Sequence, residues 1–346
     1  MEPHRIVNKT LAKHFVFAGE GPACAARQGR RAHARNPRDR LQSDRQLGRG
    51  PLSTSTHVVS KLVVLVSVII PTFNRRALVR EAVASACGQR HVELDVIVID
   101  DGSSDGTAAA LQDELGSRIR IFSTENRGVS AARNLGVRHS CSELIAFLDS
   151  DDVWQPGKLA AQVAFFAAHP DAQICQTEEI WIRNGVRVNP CKHHRKPSGD
   201  IFTPSLRLCL VSASAVMLRR SLFERVGSFD ETLPACEDYD LWLRIACDTP
   251  VWLIDQPLVI KRGGHADQLS RRFWGMDRYR VAALARLLAE GRLSAQQRTQ
   301  TMSVLAEKCA ILANGAARRG HHDAAERYRM LRESHAELPL LRREIR

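Results

Sequence analysis

No apolar run in the 346-residue chain is long enough to cross a membrane. The best candidate, residues 58–70, is interrupted by Ser60 and Lys61 and falls short of the roughly 18–20 residues a span requires. No secretory leader is evident either. The folded part is therefore expected to be soluble and cytoplasmic, with peripheral contact at the inner face of the plasma membrane as a further option. Cysteines of C-x-x-C spacing are also missing. The nine cysteines are odd in number and scattered, which argues against a disulfide framework or a zinc ribbon. Cys191, His193 and His194 lie close together but lack a fourth ligand at useful spacing, so they read as a polar loop. No G-x-G-x-x-G follows the first apolar strand, which disfavours a dinucleotide-dependent dehydrogenase. The glycine- and lysine-rich phosphate loop of a sugar-phosphate nucleotidyltransferase is absent from the same place.

What is present has a globular balance, with 44% hydrophobic and 25% charged residues. The net charge of +12 is unevenly spread: residues 1–60 carry eleven Lys and Arg against four Asp and Glu. The arginine-dense stretch 27–49 is too poor in apolar residues to bury a core. Residues 1–60 are expected to be a basic, disordered extension that touches an anionic membrane surface, contacts nucleic acid without specificity, or is a functionless extension; no specific nucleic-acid partner is expected.

From residue 63 the pattern becomes regular. Apolar runs at 63–70, 94–99, 119–122 and 144–148 alternate with helical stretches at 76–89, 107–115 and 129–137. Strands without polar alternation, separated by helices, indicate a parallel sheet covered on both faces. The fold class is α/β. In such sheets ligands bind beyond the carboxyl ends of the strands. Three of these strands end in polar residues suited to that duty: Thr72-Phe73-Asn74, Asp100-Asp101, and Asp149 to Asp152. Further along, the pattern predicts a helix over 156–168, a hairpin over 174–187 around Asn184-Gly185, and strands at 211–218, 251–254 and 258–261. Short helices are predicted at 221–226 and 237–247. From 276 onward Ala, Leu, Arg and Glu at helical spacing predict several helices broken at Gly315 and Gly320. This tail is either a subdomain packed on the sheet or a pairing surface.

The segment Phe147-Leu148-Asp149-Ser150-Asp151-Asp152 carries the most chemistry. Three carboxylates at the end of a buried strand repel one another unless a hard divalent cation, Mn²⁺ or Mg²⁺, sits between them. Such ions keep positions for substrate phosphates, so the metal implies a phosphate. The alternative is a solvated acidic loop that caps the following helix.

These residues belong to a longer series. Residues 66–75 (VSVIIPTFNR), 98–107 (VIDDGSSDGT) and 126–136 (NRGVSAARNLG), followed by FLDSDD and by 236–244 (CEDYDLWLR), closely resemble family 2 glycosyltransferases. The resemblance covers about residues 66–271. It implies a GT-A Rossmann-like, mostly parallel sheet with flanking helices over 61–275, divided into a nucleotide-binding half (61–155) and an acceptor half (156–275). A helical C-terminal region, 276–346, follows.

The resemblance further implies a nucleotide-sugar donor, UDP-linked by preference, and a glycan or lipid-linked acceptor. Surface polysaccharide or cell-wall glycan synthesis is the implied setting. Base and ribose would be held by Pro71, Thr72, Asn74 and Asp101. A carboxylate can accept the N3–H of uracil, which gives Asp101 a physical reason to be there; helix capping is the alternative. Arg133 would pair with Asp100 or Asp101, approach the diphosphate, or form a structural salt bridge. Asp151 would sit at ribose and metal, Asp152 would be the direct metal ligand, and Asp149 a lesser one. Asp238 takes the role of general base, with Glu237 a weaker candidate; acids are also favoured at any helix N-terminus. One base with one metal implies direct displacement with inversion. In the loop 263–271, two glycines permit mobility; His265 is a candidate metal or diphosphate contact and Arg271 a candidate phosphate contact. The rival reading is a non-catalytic nucleotide-sugar-binding scaffold of polysaccharide assembly.

Overall fold

Val66, Val68, Ile69 and Ile70 are fully buried on both faces of strand β1 (Leu65–Thr72), as an unbroken apolar run requires. A computed structural model of the chain describes residues 64–188, 195–264, 273 and 275–334. Strand β1 lies between β2 (Glu93–Asp100) and β4 (Leu144–Phe147), and β3 (Arg120–Ser123) flanks β2, all four parallel. Beyond β4 the sheet turns antiparallel through β8 (Val216–Arg219) to β6 (Ile174–Arg183). Strand β9 (Trp252–Gly263) runs parallel to β6, the two-residue β5 (Val153–Trp154) pairs with β9, and the hairpin strand β7 (Val186–Val188) pairs with β6. The order is β3-β2-β1-β4-β8-β6-β9-β5.

Helices α1 (Arg76–Cys87), α2 (Thr107–Leu115) and α3 (Val129–His139) connect the parallel strands. On one face Val79, Ala82 and Val83 of α1 meet Val66, Val68 and Ile70. On the other, α3 rides directly on β1: a Cβ at Gly136 would lie 2.4 Å from Ile69 Cγ2. That close approach explains the glycine at the end of the 126–136 motif. Helix α4 (Lys158–Ala168) follows β5, and the short α5 (Phe202–Ser205) and α6 (Arg220–Val226) bury Phe202, Leu222 and Phe223 in the core that α7 shares. Helix α7 (Glu237–Ala246) buries Tyr239, Leu241 and Trp242 against Phe147 and Phe229; each such side chain contributes roughly 2–3 kcal/mol of transfer free energy.

Three expectations are corrected. The strand predicted at 211–218 begins only at Val216, because Ala213–Ala215 forms a 3₁₀ turn. The two strands predicted at 251–254 and 258–261 are one, β9, interrupted by register shifts opposite Glu178, where Pro257 has no N–H to give. Gly315 does not break a helix: α8 (Asp277–Ala289) is followed by α9 (Ala295–Arg318), which runs through it, and Gly320 (φ +77°) ends the run before α10 (His322–Ser334). A capping box of Ser294 and Gln297 starts α9. Tyr279, Leu284 and Leu287 of α8 share the core of Trp242, so this helix is packed on the sheet domain rather than left free as a pairing surface. Residues 1–60, the trio Cys191, His193 and His194, and both His265 and Arg271 lie outside the described residues.

Lys158, at the start of α4, is fully buried, with its ammonium 4.1 Å from the Trp154 ring centre and 2.7 Å from Gln162 Oε1. Burial lowers its pKa to about 7. A lysine depressed in the fold contributes stability above its unfolded pKa, and that contribution is lost as pH falls through the folded value. The stability advantage of Lys158→Met over wild type is therefore expected to be larger at pH 6 than at pH 9, by on the order of 2 kcal/mol. Urea unfolding at the two pH values measures it, and an advantage independent of pH would refute it.

Candidate active site

The polar ends of β1, β2 and β4 converge at one edge of the sheet. Thr72 and Asp100 are register partners, and Asp101 N–H donates to Thr72 O at 2.9 Å. Beyond β1 the chain turns at Asn74 (φ +51°), whose Oδ1 accepts Ser104 N–H at 2.8 Å while its own N–H donates to Ser103 Oγ at 2.8 Å. Asp100 Oδ1 accepts Ser103 N–H at 3.0 Å. Both oxygens of Asp101 accept backbone N–H groups, of Arg127 at 2.9 Å and Gly128 at 2.8 Å, which fixes the entry to α3. Burial nevertheless raises the Asp101 pKa. Pro71 is buried within β1, and Thr72 Oγ1 is buried without a hydrogen-bond partner. These loops thus brace one another, with Pro71, Thr72, Asn74 and Asp101 on one rim.

Past β4 the carboxylates of Asp149, Asp151 and Asp152 each offer an oxygen within 4.8 Å of the others. Asp149 accepts Arg133 Nη2 at 2.6 Å; burial opposes its charge, but Arg133 keeps its carboxyl below the ordinary carboxylate value. Asp151 pairs with Arg75 at 2.9 Å. Asp152 is 2% exposed, accepts Ser214 Oγ–H at 2.6 Å on one oxygen and Arg262 N–H at 2.9 Å on the other. Burial, then the charge of Asp151, pushes its carboxyl well above the usual range. Three carboxylates with only oxygen donors fit a hard divalent cation such as Mg²⁺ or Mn²⁺ rather than a soft metal.

Helix α7 brings its acidic first turn to the same corner. Cys236 precedes it in a left-handed conformation (φ +62°), a conformation that non-glycine residues adopt at a cost and that clusters at functional sites. Glu237, 5% exposed, accepts Arg133 Nη1 at 2.7 Å; burial, then Asp238, raises its pKa. Asp238 is half-buried, one helical turn before the buried Leu241 and Trp242, with Oδ1 accepting Tyr239 N–H at 2.7 Å and Oδ2 3.6 Å from Cys209 Sγ. Arg133 therefore does not pair with Asp100 or Asp101. It spans Asp149 and Glu237, lies over the Phe229 ring at 5.1 Å, and is 4% exposed.

Five residues at this corner escaped the sequence reading: Arg75, Cys209, Ser214, Lys261 and Arg262. Arg75 had a signal, since it closes the strand-one motif. The others arrive from strands and turns far along the chain and carry no local pattern.

The mixed α/β sheet with its flanking helices matches the GT-A fold of solved glycosyltransferase structures. Residues 67–227 match the model "Glycosyl transferase family 2". An uncharacterized glycosyltransferase of Rickettsia bellii is 31% identical over 218 residues, 60% of this chain and 31% of that protein. The chain spans only about a third of the first curated relatives, 31–35% of their length. The Escherichia coli protein UDP-Glc:alpha-D-GlcNAc-diphosphoundecaprenol beta-1,3-glucosyltransferase WfgD is 29% identical over 192 residues, 55% of this chain and 73% of its own. Among solved structures, S. aureus TarS 1–349 in complex with UDP-GlcNAc superposes with a TM-score of 0.55 at 18% identity, covering 78% of this chain and 91% of that one. Mannosyltransferase PcManGT from Pyrobaculum calidifontis, in complex with GDP-Man and Mn²⁺, gives 0.50 at 21% identity, covering 78% and 83%.

Proposed function

We propose that the protein transfers a sugar, with inversion, from a nucleoside-diphosphate donor to a hydroxyl of a glycan or lipid-linked acceptor in surface polysaccharide or cell-wall glycan synthesis. The observation that carries this reading is the single corner shared by the Asp149–Asp151–Asp152 oxygens and the Asp238 helix, joined through Arg133. Asp152 and Asp151, with Asp149 at the edge, would hold Mn²⁺ or Mg²⁺, whose chemistry is to neutralise charge on a departing diphosphate. Pro71, Thr72, Asn74 and Asp101 would line the nucleotide. Asp238 would take the acceptor hydroxyl proton as the acceptor oxygen bonds to the anomeric carbon and the bond to the diphosphate breaks. Glu237 is held by Arg133, and the proposed role for it is to fix the helix rather than to move a proton.

UDP is the favoured nucleotide, on the strength of the Asp101 carboxylate and the name of the E. coli relative. No helix among the described residues is long and apolar enough to cross a membrane, and action at the inner membrane face is proposed with the same reading. A thermal-shift panel of UDP- and GDP-sugars, with and without Mn²⁺, tests it. One donor is expected to raise the melting temperature in a metal-dependent way. A flat response to every nucleotide sugar would refute the reading, whereas donor binding without any transfer would favour the scaffold alternative.

A further inference from the structure

Lys261 stands on β9 next to Arg262, whose N–H holds Asp152. Its register partner on β6 is Trp181, and its ammonium lies 6.0 Å from that ring's centre. Burial opposes its charge, yet Glu179, Asp152, Asp149 and Asp238 together raise its pKa. Among the described residues its one hydrogen bond goes to the neutral Ser212 hydroxyl, at 3.2 Å, and it forms no ion pair. Glu179 pairs with Lys196 instead, at 3.2 Å.

The other cations at this corner are committed. Arg75 pairs with Asp151, Arg133 with Asp149 and Glu237, and Arg262 donates to Asp151 O and to Glu81. Lys261 is thus a cation on the strand that holds Asp152, favoured by four carboxylates and bonded to none of them among the described residues. An ammonium has three donors, and the Ser212 bond uses one. A phosphate approaching aspartates needs positive charge from more than one side, and a compact, strongly hydrated point charge suits that duty.

We propose that Lys261 is a further donor-binding residue, whose ammonium contacts the diphosphate of the nucleotide sugar and adds a fixed positive charge beside the aspartate corner. This rests on the glycosyltransferase reading. The alternative is that Lys261 only offsets the acids and supports the fold.

The two are separated by calorimetric titration of wild type, Lys261→Met and Lys261→Arg with a nucleoside diphosphate (UDP or GDP, whichever wild type binds) and its parent nucleoside, in EDTA and in Mn²⁺. Lys261→Met is expected to lose at least tenfold in diphosphate affinity in EDTA, with nucleoside affinity unchanged within twofold and Lys261→Arg close to wild type. A diphosphate affinity within twofold of wild type, or an equal loss for the nucleoside, would overturn the proposal. If Lys261→Met does not fold, the ¹⁵Nζ resonance of Lys261 in wild type, assigned by its loss in Lys261→Arg, decides. It is expected to shift with the diphosphate and not with the nucleoside; a resonance unmoved at saturation overturns the proposal. Wild type binding no nucleoside diphosphate at all would overturn the glycosyltransferase reading together with it.

Discussion

Asp238→Asn is expected to slow sugar transfer by about 10²–10⁴-fold while leaving donor binding intact. Asn keeps the size and the acceptance of Tyr239 N–H at one oxygen, so α7 has no reason to move. What it loses is the ability to take a proton, and positioned general bases contribute about 10²–10⁴-fold to rate. The expected pattern is a fall in kcat of that order, with donor Kd within about twofold of wild type. The neighbouring Glu237 is unable to substitute, because it is buried and bonded to Arg133. Steady-state kinetics with the donor found by thermal shift gives the answer. Retention of most of the activity would remove Asp238 from the chemistry and turn attention to another acceptor-side group.

Arg133→Met is expected to be the most destabilising single change at this corner. It leaves Glu237, with a side chain 6% exposed, as a buried carboxylate without its partner, and it strips Asp149 of its shortest contact. Removing one partner of a buried pair costs about 3–5 kcal/mol, because the remaining charge stays desolvated. Asp149 is 30% exposed and recovers part of its hydration, so Glu237 should carry most of the loss. Adding Glu237→Gln to Arg133→Met is accordingly expected to recover stability, and the double-mutant cycle in urea gives the coupling directly. A loss under about 1 kcal/mol for Arg133→Met would place the pair in the class of weak, solvent-screened bridges.

The strand-end motifs were legible in the sequence because each is local: a β-branched run, then a polar turn, with the acids contiguous. The parallel core and the helices between its strands follow from the same pattern, as does the 174–187 hairpin with Asn184-Gly185 at its turn. The partners of the acids were not legible. Asp152 is held by Ser214, 62 residues later, and by Arg262, 110 residues later, while Arg133 finds Glu237 across 104 residues. Nothing in the period of an apolar run announces such a meeting. The 3₁₀ turn at Ala213–Ala215 shows why periodicity misled there: the apolar run is real and buried, but Ser214 within it turns toward Asp149 and Asp152. Similarly, the gap that suggested two strands at 251–261 is a bulge at a proline, which alters register without ending the strand.

The grip of Ser214 and Arg262 on Asp152 has a consequence for chimeras. A graft that exchanges everything after residue 155 would also exchange both clamps on the aspartate. Such hybrids must carry a serine hydroxyl and a β9 amide to matching positions, or Asp152 will be left a buried carboxylate without the two donors that hold it.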